Sequence, residues 1–176
     1  MCPAPERTGR MPETLDVVLR GIAICVAASA LMDVWSAVLR RCFGIPTLDY
    51  RLLGRWIGHL RYGRFFHPKV AAAEPVVGER AIGWIAHYSI GVTFAFVLLA
   101  IVGLRWLEAP TIWPALAVGM ATIAAPWLVM QPAMGAGIAA AKAQNPGATR
   151  IRNLGTHAVY GVGLFAAATT LAALRA

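Results

Sequence analysis

Four long runs of this 176-residue chain carry almost no charge: residues 15–39, 81–104, 111–141 and 153–174. Each exceeds the roughly 20 apolar residues that an α-helix needs to cross a bilayer. Lipid offers no partner to a bare N–H or C=O, and the runs are too long and too evenly apolar for barrel strands, so they read as helices. The expectation is an all-α integral membrane four-helix bundle. It forms one domain over residues 15–176, after an N-terminal tail of residues 1–14. Composition agrees, with 59% hydrophobic and 14% charged residues, where a soluble domain has about a quarter charged. Ala28-Ser29-Ala30 resembles a signal-peptide cleavage site. Arg20 interrupts the start of the stretch before it, and the apolar pattern runs on to Leu39, so the segment reads as a retained helix.

The net charge of +8 would suggest nucleic acid in a soluble protein, but no nucleic-acid motif is present. Instead, 11 of the 16 basic residues fall in two loops, residues 40–80 and 142–152. The positive-inside rule places both loops in the cytoplasm and both termini in the periplasm, with 105–110 as a short periplasmic turn. Cys2, Cys25 and Cys42 form no CxxC and read as free thiols. There is no nucleophile motif, phosphate loop or H-E-x-x-H, which leaves an enzyme the least supported class.

The first cytoplasmic loop holds a short helix. Thr47-Leu48-Asp49 is a plausible start, and Leu52, Leu53, Trp56, Ile57 and Leu60 then recur at helical spacing. With Arg51, Arg55 and Arg61 off that stripe, this predicts an interfacial helix over residues 48–60. Gly54 and Gly58 suit close packing on a span. In the third span, Pro126 and Pro132 free the carbonyls of Thr122 and Leu128, and Gly135 and Gly137 follow. This predicts either a kinked helix or a broken one lining a site.

Spans two and four resemble each other. Arg80 precedes His87 by seven residues and Gly91-Val92 follows; Arg150 precedes His157 by seven and Gly161-Val162 follows. Met32-Asp33 and Met130-Gln131 match more weakly, which suggests a tandem two-helix repeat. Asp33 lies seven residues before Arg40, so Asp33, His87 and His157 all sit roughly 10 Å inside the cytoplasmic boundary, with Gln131 roughly 16 Å in. These four residues are the expected intramembrane polar cluster, with Tyr88, Tyr160, Ser29 and Asn153 around it. A carboxylate at such depth costs about 3 kcal/mol or more, so Asp33 is the strongest single signal.

Three functional classes fit. In the first, Asp33 and the histidines handle protons or a cation in a small transporter. In the second, His87 and His157 hold haem b, or bind copper or iron with Met130 and Met134 as soft ligands. In the third, the chain is a structural or accessory subunit of a larger membrane complex, or works as a homo-oligomer.

Several motifs also resemble a catalogued family. They are Met32-Asp33-x-Trp35, Phe43-Gly44-x-Pro46-x-Leu48-Asp49-Tyr50-Arg51-Leu52-x-Gly54-Arg55-Trp56-x-Gly58-His59, Gly78-Glu79-Arg80 and His87-Tyr88. Ala125-Pro126-Trp127, Met130-Gln131-Pro132-x-Met134-Gly135-x-Gly137 and His157 with Tyr160-Gly161 complete the set. They are similar to the bacterial membrane family catalogued as domain of unknown function 2938. The resemblance covers nearly the whole chain after the tail. It implies a small multi-pass protein of a bacterial inner membrane, and supplies no reaction or ligand.

Reporter fusions test the topology. Fusions after residue 175 and within 105–110 should report the periplasm, and fusions within 61–66 the cytoplasm; a cytoplasmic C-terminus would refute the orientation.

Overall fold

A computed structural model describes residues 13–175. Most of the expected tail, with Cys2, Arg7 and Arg10, lies outside the described residues. Among those described there are helices and no strands. The spans are α1 (Glu13–Phe43), α3 (Glu79–Val102), α4 (Ile112–Ala133) and α5 (Pro146–Ala173), and α2 (Tyr50–Leu60) lies in the loop between α1 and α3. All four spans are long and apolar enough to cross a membrane.

Small residues set the packing. α1 meets α5 where Gly163 faces Ala28, with room for no side chain between them. α4 meets α5 where a Cβ on Gly119 would stand 2.5 Å from the Gly161 Cα. Such close backbone contact is how helices associate in lipid, which supplies no hydrophobic drive between them. The core between α1, α3 and α5 is Ile24, Cys25, Ala28, Ala95, Leu98 and Leu164, each at most 3% exposed.

α4 runs as α-helix to Ala121, passes through a π-helical turn at Pro126–Met130, and ends at Ala133. Pro126 brings no N–H, and the Ala125 N–H bonds the Thr122 carbonyl instead, at 3.1 Å. The Gln131 N–H then reaches back five residues to Pro126. The sequence predicted a span reaching residue 141. The chain turns sooner because Gly135 (φ +94°) and Gly137 (φ +74°) adopt backbone that side chains disfavour. In the other direction, α5 starts seven residues before the expected 153, capped by the Asn145 side chain on the Ala148 N–H.

α2 starts where Asp49 caps the Arg51 N–H, and the Arg51 guanidinium holds the Asp49 carboxyl below the usual carboxylate range. Its buried face is Leu53, Gly54, Gly58 and His59. A Cβ on Gly54 would lie 1.8 Å from the Glu79 carbonyl oxygen, and one on Gly83 1.8 Å from that of Tyr50. Arg55 does not point to solvent with its neighbours Arg51 and Arg61. It forms a two-pronged pair with Glu79 at 2.8 and 3.0 Å, both side chains at most 15% exposed. α2 is therefore locked onto the start of α3.

The loop after α2 carries a buried histidine pair. His59 Nδ1 lies 2.7 Å from His67 Nε2, and His59 Nε2 lies 3.0 Å from the Glu74 carbonyl. A carbonyl only accepts, so His59 carries its proton on Nε2 and takes one from His67 at Nδ1. His67 Nδ1 is left buried without a partner. The His67 and Val70 N–H groups bond the Ala133 and Met134 carbonyls, tying this loop to the end of α4. At the opposite end of the bundle, Arg20 pairs with Glu108 at 2.5 Å and Arg175 with Asp16 at 2.6 Å.

Two outcomes follow. Gly54→Ala forces α2 off α3 and should lower stability by about 1–3 kcal/mol or more, read from unfolding in detergent. Burial, then His59 and Arg64, hold the His67 pKa below its ordinary 6.5. The unfolded chain thus binds a proton near that pH that the folded chain resists, so stability is lost as pH falls through about 6.5. The unfolding temperature of the wild type should drop on acidification more steeply than that of His67→Gln; equal slopes would refute the assignment.

Candidate functional site

Asp33 lies on α1, roughly two helical turns from its basic end. Its side chain is 16% exposed, and three groups close on the carboxylate. The Tyr50 hydroxyl donates to Oδ1 at 2.8 Å, the Tyr88 hydroxyl donates to Oδ2 at 3.0 Å, and His87 Nε2 stands 3.2 Å from Oδ1. His87 Nε2 is also 3.2 Å from the Tyr50 oxygen. Because the tyrosine proton goes to Asp33, the His87 proton must sit on Nε2, shared between Oδ1 and the Tyr50 oxygen. The Tyr50 ring stacks on His87 with centroids 4.3 Å apart, and Trp84 meets Tyr50 edge-on at 4.6 Å.

Tyr50 reaches this point because α2 approaches α3 so closely, and Gly83 is the position that permits it. Burial, then the Asp33 charge, push the Tyr50 phenol well above its ordinary pKa, so it stays a hydrogen-bond donor. Asp33, Tyr50, His87 and Tyr88 form one connected group: a carboxylate with two fixed donors and an imidazole that can take or return a proton.

His157 sits in a second group. Its Nδ1 lies 2.7 Å from the Thr122 hydroxyl, which donates to the Gly119 carbonyl at 2.6 Å. The Thr122 oxygen therefore accepts from His157 Nδ1–H, and Nε2 keeps a lone pair. Gln131 on α4 meets Asn153 on α5, one helical turn before His157. In the amide orientation that satisfies its surroundings, the Asn153 oxygen accepts from Gln131 Nε2 at 2.8 Å and from Trp127 Nε1 at 3.1 Å. Gln131 Oε1 and Trp35 Nε1 are buried without partners. Each histidine thus faces the span before its own: His87 against α1, His157 against α4.

Both groups adjoin one cleft of about 1940 Å³, which reaches Arg40, Arg51, Arg80 and Arg152 at the basic end of the bundle. Asp33, His87, Gln131 and His157 all face it, as do Ser29, Asn153, Tyr160, Met130 and Met134. Asp33 and His87 are in direct contact; Gln131 and His157 contact neither of them by a hydrogen bond. Tyr160 donates to the Gly91 carbonyl at 2.8 Å, and Ser29 packs against Gly91, so both brace the helices below Asp33. Sequence reasoning missed Tyr50 and Thr122 as site residues. Tyr50 stands in the loop helix, far from Asp33 in the chain, while Thr122 was visible only as the carbonyl released by Pro126.

The residues do not fit a bis-histidine haem. His87 Nε2 is engaged by Asp33 and Tyr50, and the Tyr50 ring covers one face of its imidazole. Among the described residues no three His, Cys, Asp or Glu side chains gather as a metal site.

No curated protein and no solved structure matches the chain. A family model described as "Protein of unknown function (DUF2938)" matches residues 22–171, and the chain, four apolar spans included, belongs to that family.

Proposed function

We propose that this protein handles protons within the membrane as a small transporter, with Asp33 exchanging the proton while a ligand occupies the cleft. In this reading it lies in a bacterial inner membrane with its basic loops in the cytoplasm. One observation carries the proposal: a carboxylate inside a spanning helix contacts an imidazole and two phenols on the wall of an open cleft. A carboxylate kept only for packing would be better replaced by an apolar side chain, since burying a charge is costly even when it is paired. Here the partners suit a change of state. With Asp33 ionised, Tyr50 and Tyr88 both donate to it. With Asp33 protonated, one oxygen becomes a donor, and the Tyr50 hydroxyl is free to turn toward the cleft. Protonation at Asp33 is thereby linked to an α2 residue that lines the cleft.

The haem reading lacks a free His87 Nε2, which Asp33 and Tyr50 engage. The accessory-subunit reading makes the opposite prediction for Asp33. In nanodiscs, the acid-minus-neutral infrared difference spectrum of the wild type should contain a carboxyl band and a tyrosine ring band that rise together. Both should vanish in Asp33→Asn, which should stay folded with a stability loss of about 1–3 kcal/mol for its weakened hydrogen bonds. Spectra identical in wild type and variant would overturn proton handling. An unfolded Asp33→Asn, with Tyr50→Phe also leaving the wild-type spectrum unchanged, would favour a purely structural carboxylate.

A further inference from the structure

The charge around the cleft is unbalanced. Four arginines line it, Arg40, Arg51, Arg80 and Arg152, against two carboxylates, Asp33 and Asp49. Arg51 and Asp49 satisfy each other through contacts of 2.6 to 3.1 Å. Asp33 is taken by Tyr50, Tyr88 and His87. Arg40, Arg80 and Arg152 have no carboxylate within 4.0 Å among the described residues. Arg152 is half-buried, and its one hydrogen bond goes to the Pro46 carbonyl. The end of the bundle carrying Arg20 and Arg175 differs, since both pair with acids there. A half-buried guanidinium facing a cleft without a counter-ion is suited to a planar or tetrahedral oxyanion.

Polarity then changes with depth. Arg40, Arg80 and Arg152 stand at the basic end of α1, α3 and α5, while Met32, Ile90 and Phe94 line the cleft further in. Ile90 is ten residues beyond Arg80, or roughly 15 Å along the helix. This order of charge then apolar wall is that of a lipid standing in its own leaflet.

We propose that the cleft holds one anionic phospholipid from the surrounding leaflet, its phosphate at Arg40, Arg80 and Arg152 and its acyl chain along Met32, Ile90 and Phe94. The inference builds on the proton-handling reading, because the bound lipid would lie along the wall that carries Asp33 and His87. The shared chemistry is an oxyanion on an apolar chain, and the leaflet is the source with that shape and orientation already in place.

The test uses the full chain, stripped in detergent and then given phosphatidylglycerol, phosphatidylcholine or dodecyl phosphate, with retention read by native mass spectrometry. One phosphatidylglycerol per chain should be retained, with phosphatidylcholine, whose choline cation brings a like charge beside the three arginines, retained about tenfold less. Arg152→Gln should lower phosphatidylglycerol retention about tenfold. The exposed pair Arg40→Gln with Arg80→Gln should lower it too, which keeps the test open if Arg152→Gln does not fold. Arg41→Gln with Arg61→Gln, on the same end but not lining the cleft, should change nothing. Equal loss in that control would mean adsorption to a basic surface, and equal retention of phosphatidylcholine would mean no selection for an anionic lipid. Retention of dodecyl phosphate without phosphatidylglycerol would make the ligand a free single-chain anion. Each of these three results overturns the proposal. Asp33→Asn should keep the lipid, so a failure of proton handling leaves this result standing and can be told apart from it.

Discussion

A carboxylate placed inside a membrane helix must find donors or give up its charge, and the arrangement around Asp33 answers that demand. No residue of α1 supplies a donor to it. Tyr88 comes from α3, and Tyr50 from a helix that is not a span at all. For Tyr50 to arrive, the loop after α1 must fold back and press α2 onto α3 until backbone meets backbone at Gly54 and Gly83. The Arg55–Glu79 pair then holds the contact. α2, the glycine crossing and the buried ion pair together bring that charge one of its partners.

The two histidines at matching positions do different work because their neighbours fix different protons. His87 directs Nε2–H at Asp33 and Tyr50, while His157 spends Nδ1–H on Thr122 and keeps Nε2 as an acceptor. The Thr122 hydroxyl lies beside the irregular turn before Pro126, so the disrupted helix supplies the very group that sets the His157 tautomer. A donor on one wall and an acceptor on the other give the cleft two chemically distinct sides, although the two helix pairs resemble each other in sequence.

Charge is managed differently at the two ends. Where Arg20 and Arg175 stand, Asp16 and Glu108 neutralise them, closing that end with ion pairs. At the other end, Arg51 pairs with Asp49, while Arg40, Arg80 and Arg152 line the cleft without a carboxylate partner among the described residues. The cleft is lined by arginines at that end, with the Asp33 group further in. The buried His59–His67 pair ties the loop on that side to the end of α4 and makes the tie weaker as pH falls.

Four apolar spans and their approximate positions were legible in the sequence. Hydropathy reports burial in lipid directly. The short basic helix and the irregular third span could be read from capping, period and proline for the same reason: each is set by residues close together in the chain. The partners were not legible. Which side chains touch depends on how helices rotate and how near they come, and that is settled by glycine faces meeting across long stretches of chain. The contacts of Tyr50 with Asp33, Thr122 with His157 and His67 with His59 all depend on that packing. The same packing drew Arg55, which period alone had placed in water, into a buried pair with Glu79. Local composition determined what could enter the membrane; contact between distant glycines decided which polar groups meet inside it.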